Sequence, residues 1–177
     1  MPMLEADRSA LLMIDFQLRL MPAIEGGADV IDHARRLVAG AELLGVPTLF
    51  TEQNPDRLGP TVPELAPAAG RAFGKMAFGC AGEPGFLDRL PEDRAIVVAG
   101  CEAHVCVLQT VLGLLDHGRS VYVVRDAIGS RRAESKETAL LRMASHGAEI
   151  VTAEMALFEW LGTAGHPRFR EVSALIR

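Results

Sequence analysis

The sequence predicts an α/β fold, a doubly wound parallel sheet covered on both faces by helices. Three observations carry this expectation. Short apolar runs alternate with segments of helical period along the whole chain. The runs are continuous rather than alternating with polar residues, as in strands buried on both faces. And 177 residues, 49% of them apolar, suit a single domain over residues 1–177 with a substantial core.

The first strand is residues 10–14, Ala-Leu-Leu-Met-Ile, ended by Asp15. A helix follows over residues 28–44, with apolar side chains at 31, 34, 38, 41 and 44, and Gly45 and Pro47 stop it. Residues 47–50 form the second strand, with Glu52 after it. A Gly- and Pro-rich region from 54 to 85 breaks the rhythm, and a weaker strand lies inside it at 71–76. Residues 95–99 form the next strand and run into a helix at 104–115. The strands at 120–124 and 149–152 alternate with helices at 133–145 and 153–161, which stop at Gly147 and Gly162. Trp160 and the tail 166–177 (Phe169, Val172, Leu175, Ile176) carry more apolar spacing than a frayed end needs. The tail either covers its own core or docks on another subunit. No internal repeat, low-complexity tract or linker interrupts the chain.

A formal charge of −5 argues against a nucleic-acid or anionic-membrane partner, either of which calls for a clustered Lys/Arg excess. The basic cluster Arg131-Arg132 is too small to change that. The apolar runs are far below the ~20 residues that span a bilayer, and no secretory h-region is present. Three cysteines in a chain with an ample core read as reduced thiols in a cytoplasmic protein. Asp15-Phe-Gln-Leu-Arg19 stands where a nucleotide-binding sheet would carry its glycine-rich loop, which sets that class aside.

Ligands of doubly wound sheets bind outside the carboxyl ends of the strands. That rule selects Asp15, Glu52, residues 100–106 and Asp126. Asp126 reads as a cap for the helix after it. Asp15 differs, because Phe16-Gln17 follow it and the next helix starts well downstream. Cys106 falls in the first turn of its helix, where unpaired N–H groups favour a thiolate. A buried, inert sulfur is the other reading of that position, and the two stand about level. Cys80 and Cys101 read as structural. Lys75, in Phe73-Gly-Lys-Met-Ala-Phe78, is a snorkelling surface lysine unless it meets Asp15 and Cys106 in space.

Taken in order, Leu12-Met-Ile-Asp-Phe-Gln17, residues 51–65, Lys75, residues 100–110, 123–131 and 152–158 resemble the isochorismatase-like cysteine hydrolases, and they cover nearly the whole chain. The resemblance implies a three-layer α/β/α, Rossmann-like sheet of about six parallel strands and a triad of Asp15, Lys75 and Cys106. It implies cleavage of a small amide- or carbamoyl-type C–N bond through a thioester, with Asp15 passing the proton from thiol to leaving amine. It also implies a cis peptide at Cys101–Glu102 and an oxyanion hole built from the Glu102 and Cys106 N–H groups.

Nicotinamidases of this superfamily hold a metal on an Asp-x-His after the second strand and on a further His. Here the chain reads Thr51-Glu-Gln-Asn54, with no histidine between His33 and His104. The expectation is therefore a metal-independent enzyme without a cofactor, and not one for nicotinamide. Phe16, Gln17, Glu52, Phe78 and His104 are the expected substrate-binding residues around a small-molecule substrate. The family's habit of forming dimers and larger rings points to a homo-oligomer and tips the tail toward a neighbouring subunit. Isochorismatase-type vinyl-ether hydrolysis and a catalytically silent oligomeric scaffold are the alternatives.

Overall fold

A computed structural model describes residues 3–176. In chain order the elements are β1 (Ser9–Ile14), α1 (Gly27–Leu44), β2 (Thr48–Gln53), α2 (Pro55–Leu58), α3 (Ala66–Ala69), β3 (Phe73–Lys75) and β4 (Ala95–Cys101). They continue with α4 (Leu108–Asp116), β5 (Val121–Gly129), α5 (Ala133–Ser145), β6 (Glu149–Val151), α6 (Ala153–Leu161) and α7 (Phe169–Leu175). The strands form one 6-stranded sheet in the order β3-β2-β1-β4-β5-β6, and every neighbouring pair is parallel. Helices cover both faces, so the predicted α/β class holds.

Alternation along each strand sorts the core into two halves. Leu11, Met13, Val97, Ala99, Tyr122 and Val124 pack on the side of α1, α6 and α7. Leu12, Ile14, Ile96, Val98, Val121 and Val123 pack on the side of α4 and α5. All six residues of β1 are buried, which is why its sequence is an unbroken apolar run. The chain builds outward from β1 to one edge, returns to β4 and builds outward to the other. The strand order therefore reverses between β1 and β4, the point where sheets of this kind bind ligands at the carboxyl ends of their strands.

The two strands run close together there. Gly100 has φ +149, and a Cβ there would lie 2.3 Å from the Ile14 carbonyl oxygen. Only glycine lets β4 pass so close to β1 at this level.

Four details differ from the sequence reading. The helix expected from residue 104 starts as a π-helical turn over Ala103–Val107 before α4 begins, with the Val107 N–H donating to the Glu102 carbonyl at 3.2 Å. β5 continues through Arg125 and Asp126 to Gly129, and its register against β4 shifts between Val98 and Gly100. Asp126 thus sits inside a strand, and it caps α6 rather than the helix after it, accepting from the Ala153 N–H at 2.8 Å. Glu52 likewise lies within β2 rather than after it. Finally, the tail covers its own core: Val172 of α7 is fully buried, and Phe169 and Ile176 pack against the α1 side. Among the described residues no helix is long and apolar enough to cross a membrane.

Candidate active site

Asp15 leaves β1 in a left-handed backbone conformation, φ 54, and its side chain is completely buried. Its Oδ2 accepts from the Lys75 ammonium at 2.8 Å. Its Oδ1 accepts from the Thr51 hydroxyl at 2.7 Å. Lys75 ends the edge strand β3 and points inward, with its side chain at 0% exposure. The ammonium also donates to the carbonyls of Ala77 (3.2 Å) and Phe78 (2.8 Å). A buried carboxylate and a buried ammonium each carry a large desolvation cost, and only direct pairing of this kind makes their burial tolerable.

Cys106 lies in the π turn against this pair, 7% exposed. Burial pushes its thiol up to about 12; the Asp15 charge and its acceptance of the thiol proton add to the rise, and the Lys75 ammonium opposes it. The helix-start argument for a resting thiolate is therefore outweighed, and Cys106 rests as a thiol beside Asp15. Cys80 is buried, and burial lifts its thiol to about 11. Burial drives the Cys101 thiol well above its ordinary range.

The turn between β4 and the π segment contains a cis peptide at Cys101–Glu102. The Glu102 carboxylate accepts from the backbone N–H and the Nε of Arg131, both at 3.0 Å. Thr110 locks the next turn: its hydroxyl donates to the Cys106 carbonyl at 2.7 Å and accepts from the Cys80 N–H at 3.1 Å.

The expected pocket residues divide. His104 lines an open depression of about 470 Å³ with Arg131, Arg132 and Ser135, and its Nδ1 is 2.9 Å from the Ser130 hydroxyl. Phe78 is half exposed, at 52%, beside the Lys75 anchor. The other three are buried or held by neighbouring groups. Phe16 is 1% exposed and belongs to the core, because the left-handed turn at Asp15 carries the next side chain back inside. Gln17 is completely buried and its amide is taken up by backbone: it donates to the carbonyls of Gln53 and Gly59 and accepts from the Gln53 N–H. Glu52 spends its Oε1 on the N–H and hydroxyl of Thr61. Gln17 and Glu52 thus brace the loop that follows β2. Sequence reasoning missed Thr51 and Thr110, whose only local signal is a threonine where the strand or helix pattern accepts any small or β-branched residue.

Among the described residues no group of three or more His, Cys, Asp or Glu side chains is placed to hold a metal ion.

A parallel sheet of this order, with its acidic and thiol side chains gathered at the reversal point, defines the class, and the comparisons agree. The isochorismatase domain family matches residues 9–155, and the chain belongs to that family of hydrolases. It is 38% identical over 172 residues to human isochorismatase domain-containing protein 2, spanning 96% of this chain and 83% of that one. It superposes on the structure of MAR1 ribonuclease from Caenorhabditis elegans with a TM-score of 0.93 at 36% identity, covering 98% of this chain and 92% of the other. It matches Escherichia coli YcaC, described as an octameric hydrolase of unknown specificity, with a TM-score of 0.88 at 22% identity over 99% and 88% of the two chains, a likeness of fold.

Proposed function

We propose that the protein is a metal-independent cysteine hydrolase that cleaves a small amide- or carbamoyl-type C–N bond through a thioester on Cys106. The observation that carries this reading is the buried Asp15–Lys75 pair set against the Cys106 thiol. A protonated thiol next to a carboxylate suits base-assisted attack. Asp15 takes the thiol proton as sulfur bonds to the carbonyl carbon. The oxyanion is received by the Glu102 and Cys106 N–H groups. Asp15 then returns the proton to the nitrogen as the C–N bond breaks and the amine leaves. Water attacks the thioester, gives its proton to Asp15 and releases the acid, and the Cys106 thiol is restored. Lys75 holds Asp15 in place through its hydrogen bond to Oδ2.

The same reading places the enzyme in the cytoplasm as a homo-oligomer; the octamer described for YcaC supports the assembly. A nuclease role, which the name of the C. elegans relative brings to mind, lacks support in a chain of net charge −5.

A second reading is a silent binding subunit, favoured by the near-complete burial of the trio and the raised thiol. One experiment separates them. The protein is incubated with a panel of small primary amides and N-carbamoyl compounds, quenched in acid and weighed intact. An acyl adduct on Cys106, released by hydroxylamine and absent in Cys106→Ala, establishes the hydrolase. No adduct and no released amine across the panel, with Cys106 inert to alkylation, favours the silent subunit.

A further inference from the structure

Thr51 is joined to Asp15 at two points. The register places Ile14 beside Thr51 across β1 and β2, and the Asp15 N–H donates to the Thr51 carbonyl at 3.1 Å. The Thr51 hydroxyl then donates to Asp15 Oδ1 at 2.7 Å, in a residue with no exposed surface. A threonine that merely fills a strand has no need to spend its hydroxyl on a carboxylate. Thr110 shows the ordinary arrangement, donating to a backbone carbonyl one turn back.

Lys75 holds the other carboxylate oxygen. With one donor on each oxygen, the Asp15 carboxyl group is held from both sides, and one lone pair is left over on each oxygen. We infer that Thr51 is a positioning residue for the reaction, its hydroxyl holding the Asp15 carboxylate in the orientation from which it takes the Cys106 proton. This inference rests on the triad reading proposed above.

The test is the rate of Cys106 alkylation by iodoacetamide, resolved by residue in a mass spectrometer, between pH 5 and 9. In that reaction Asp15 accepts the thiol proton, the sulfur bonds to the methylene carbon, and iodide leaves. Wild type is compared with Thr51→Val, Thr51→Ala, Thr51→Ser and Asp15→Asn, each checked for folding by circular dichroism; the alanine variant serves if valine is not accommodated. Loss of a hydrogen bond to a charged acceptor is expected to slow Cys106 about tenfold at pH 6 in Thr51→Val. The shape of the pH profile also changes in Thr51→Val. Thr51→Ser keeps the wild-type profile. A wild-type profile in Thr51→Val alongside a slow Asp15→Asn overturns the inference and leaves the triad standing. Equal slowing in Thr51→Ser and Thr51→Val also overturns it, because the effect is then one of packing. If Asp15→Asn reacts like wild type, the triad reading itself falls and takes the positioning role with it.

Discussion

Glu102 and Arg131 are joined twice through one oxygen: Glu102 Oε2 accepts both the backbone N–H and the Nε of Arg131, each at 3.0 Å. The contact ties the turn after β4, where Cys106 sits, to the turn that precedes α5. The Arg131 side chain is 62% exposed, so its share is small, and the backbone donor is the firmer half of the clasp. We expect Glu102→Gln to cost about 1 kcal/mol, because neutral hydrogen bonds replace charge-assisted ones. Thermal unfolding is expected to show a midpoint lowered by roughly 2–4 °C.

Lys75→Met removes the ammonium and leaves the Asp15 carboxylate buried without its counter-charge. Breaking one side of a buried pair costs ~3–5 kcal/mol, a fall on the order of 10 °C in midpoint for a chain of this size. Adding Asp15→Asn removes the stranded charge, so the double variant is expected to be more stable than the sum of the two single losses. A double-mutant cycle by urea unfolding measures this; strict additivity would show that the pair is not coupled.

The three thiols make stability fall in alkali. Cys106 is pushed up to about 12 and Cys80 to about 11, both above their ordinary 9.0. Cys101 is driven higher still by burial. A group whose folded value is raised stabilises the fold below its unfolded value, and that contribution fades as pH climbs toward the folded one. Urea unfolding is therefore expected to be flat with respect to these groups below pH 9. Above it, stability drops by about 1 kcal/mol per pH unit for each thiol. Cys80→Ala should reduce the slope. An unchanged slope would show that the thiols are not the source.

Gly100→Ala is expected to destabilise by about 3 kcal/mol or more, as its Cβ meets the Ile14 backbone and its φ becomes strained. Gly118→Ala serves as a control, since its φ is +72 but nothing lies within 4 Å of the added carbon. A cost of about 1 kcal/mol is expected there. Equal losses at the two sites would argue against the close approach of β1 and β4.

Much of this architecture was legible from the residues, and the failures have physical reasons. The helix α1 is visible because its apolar residues keep one stripe and Gly45 closes it. The far end of β5 is not, because Arg125 and Asp126 break the apolar run that marks a buried strand. The π turn is invisible to a reading based on a period of 3.6. At the site, Asp15, Lys75 and Cys106 stand out through the family motifs. Thr51 does not, since its meaning depends on which residue of β1 it faces. Phe16 and Gln17 follow a strand end, and their burial depends on one left-handed residue, Asp15, that no apolar pattern marks. The apolar spacing of the tail fits either its own core or a neighbour, and the place of Val172 in its own core depends on the fold of α1 and α7.

The Lys75 ammonium has three hydrogens and three acceptors, one carboxylate and two carbonyls. It holds no donor in reserve. A bound substrate meets a lysine already fully engaged, so this cation acts through its field and not through its touch, and recognition falls to other groups around the site. The tripod also sets a geometric demand that a flat guanidinium does not meet, so arginine, although it keeps the charge, is a poor replacement at this one position.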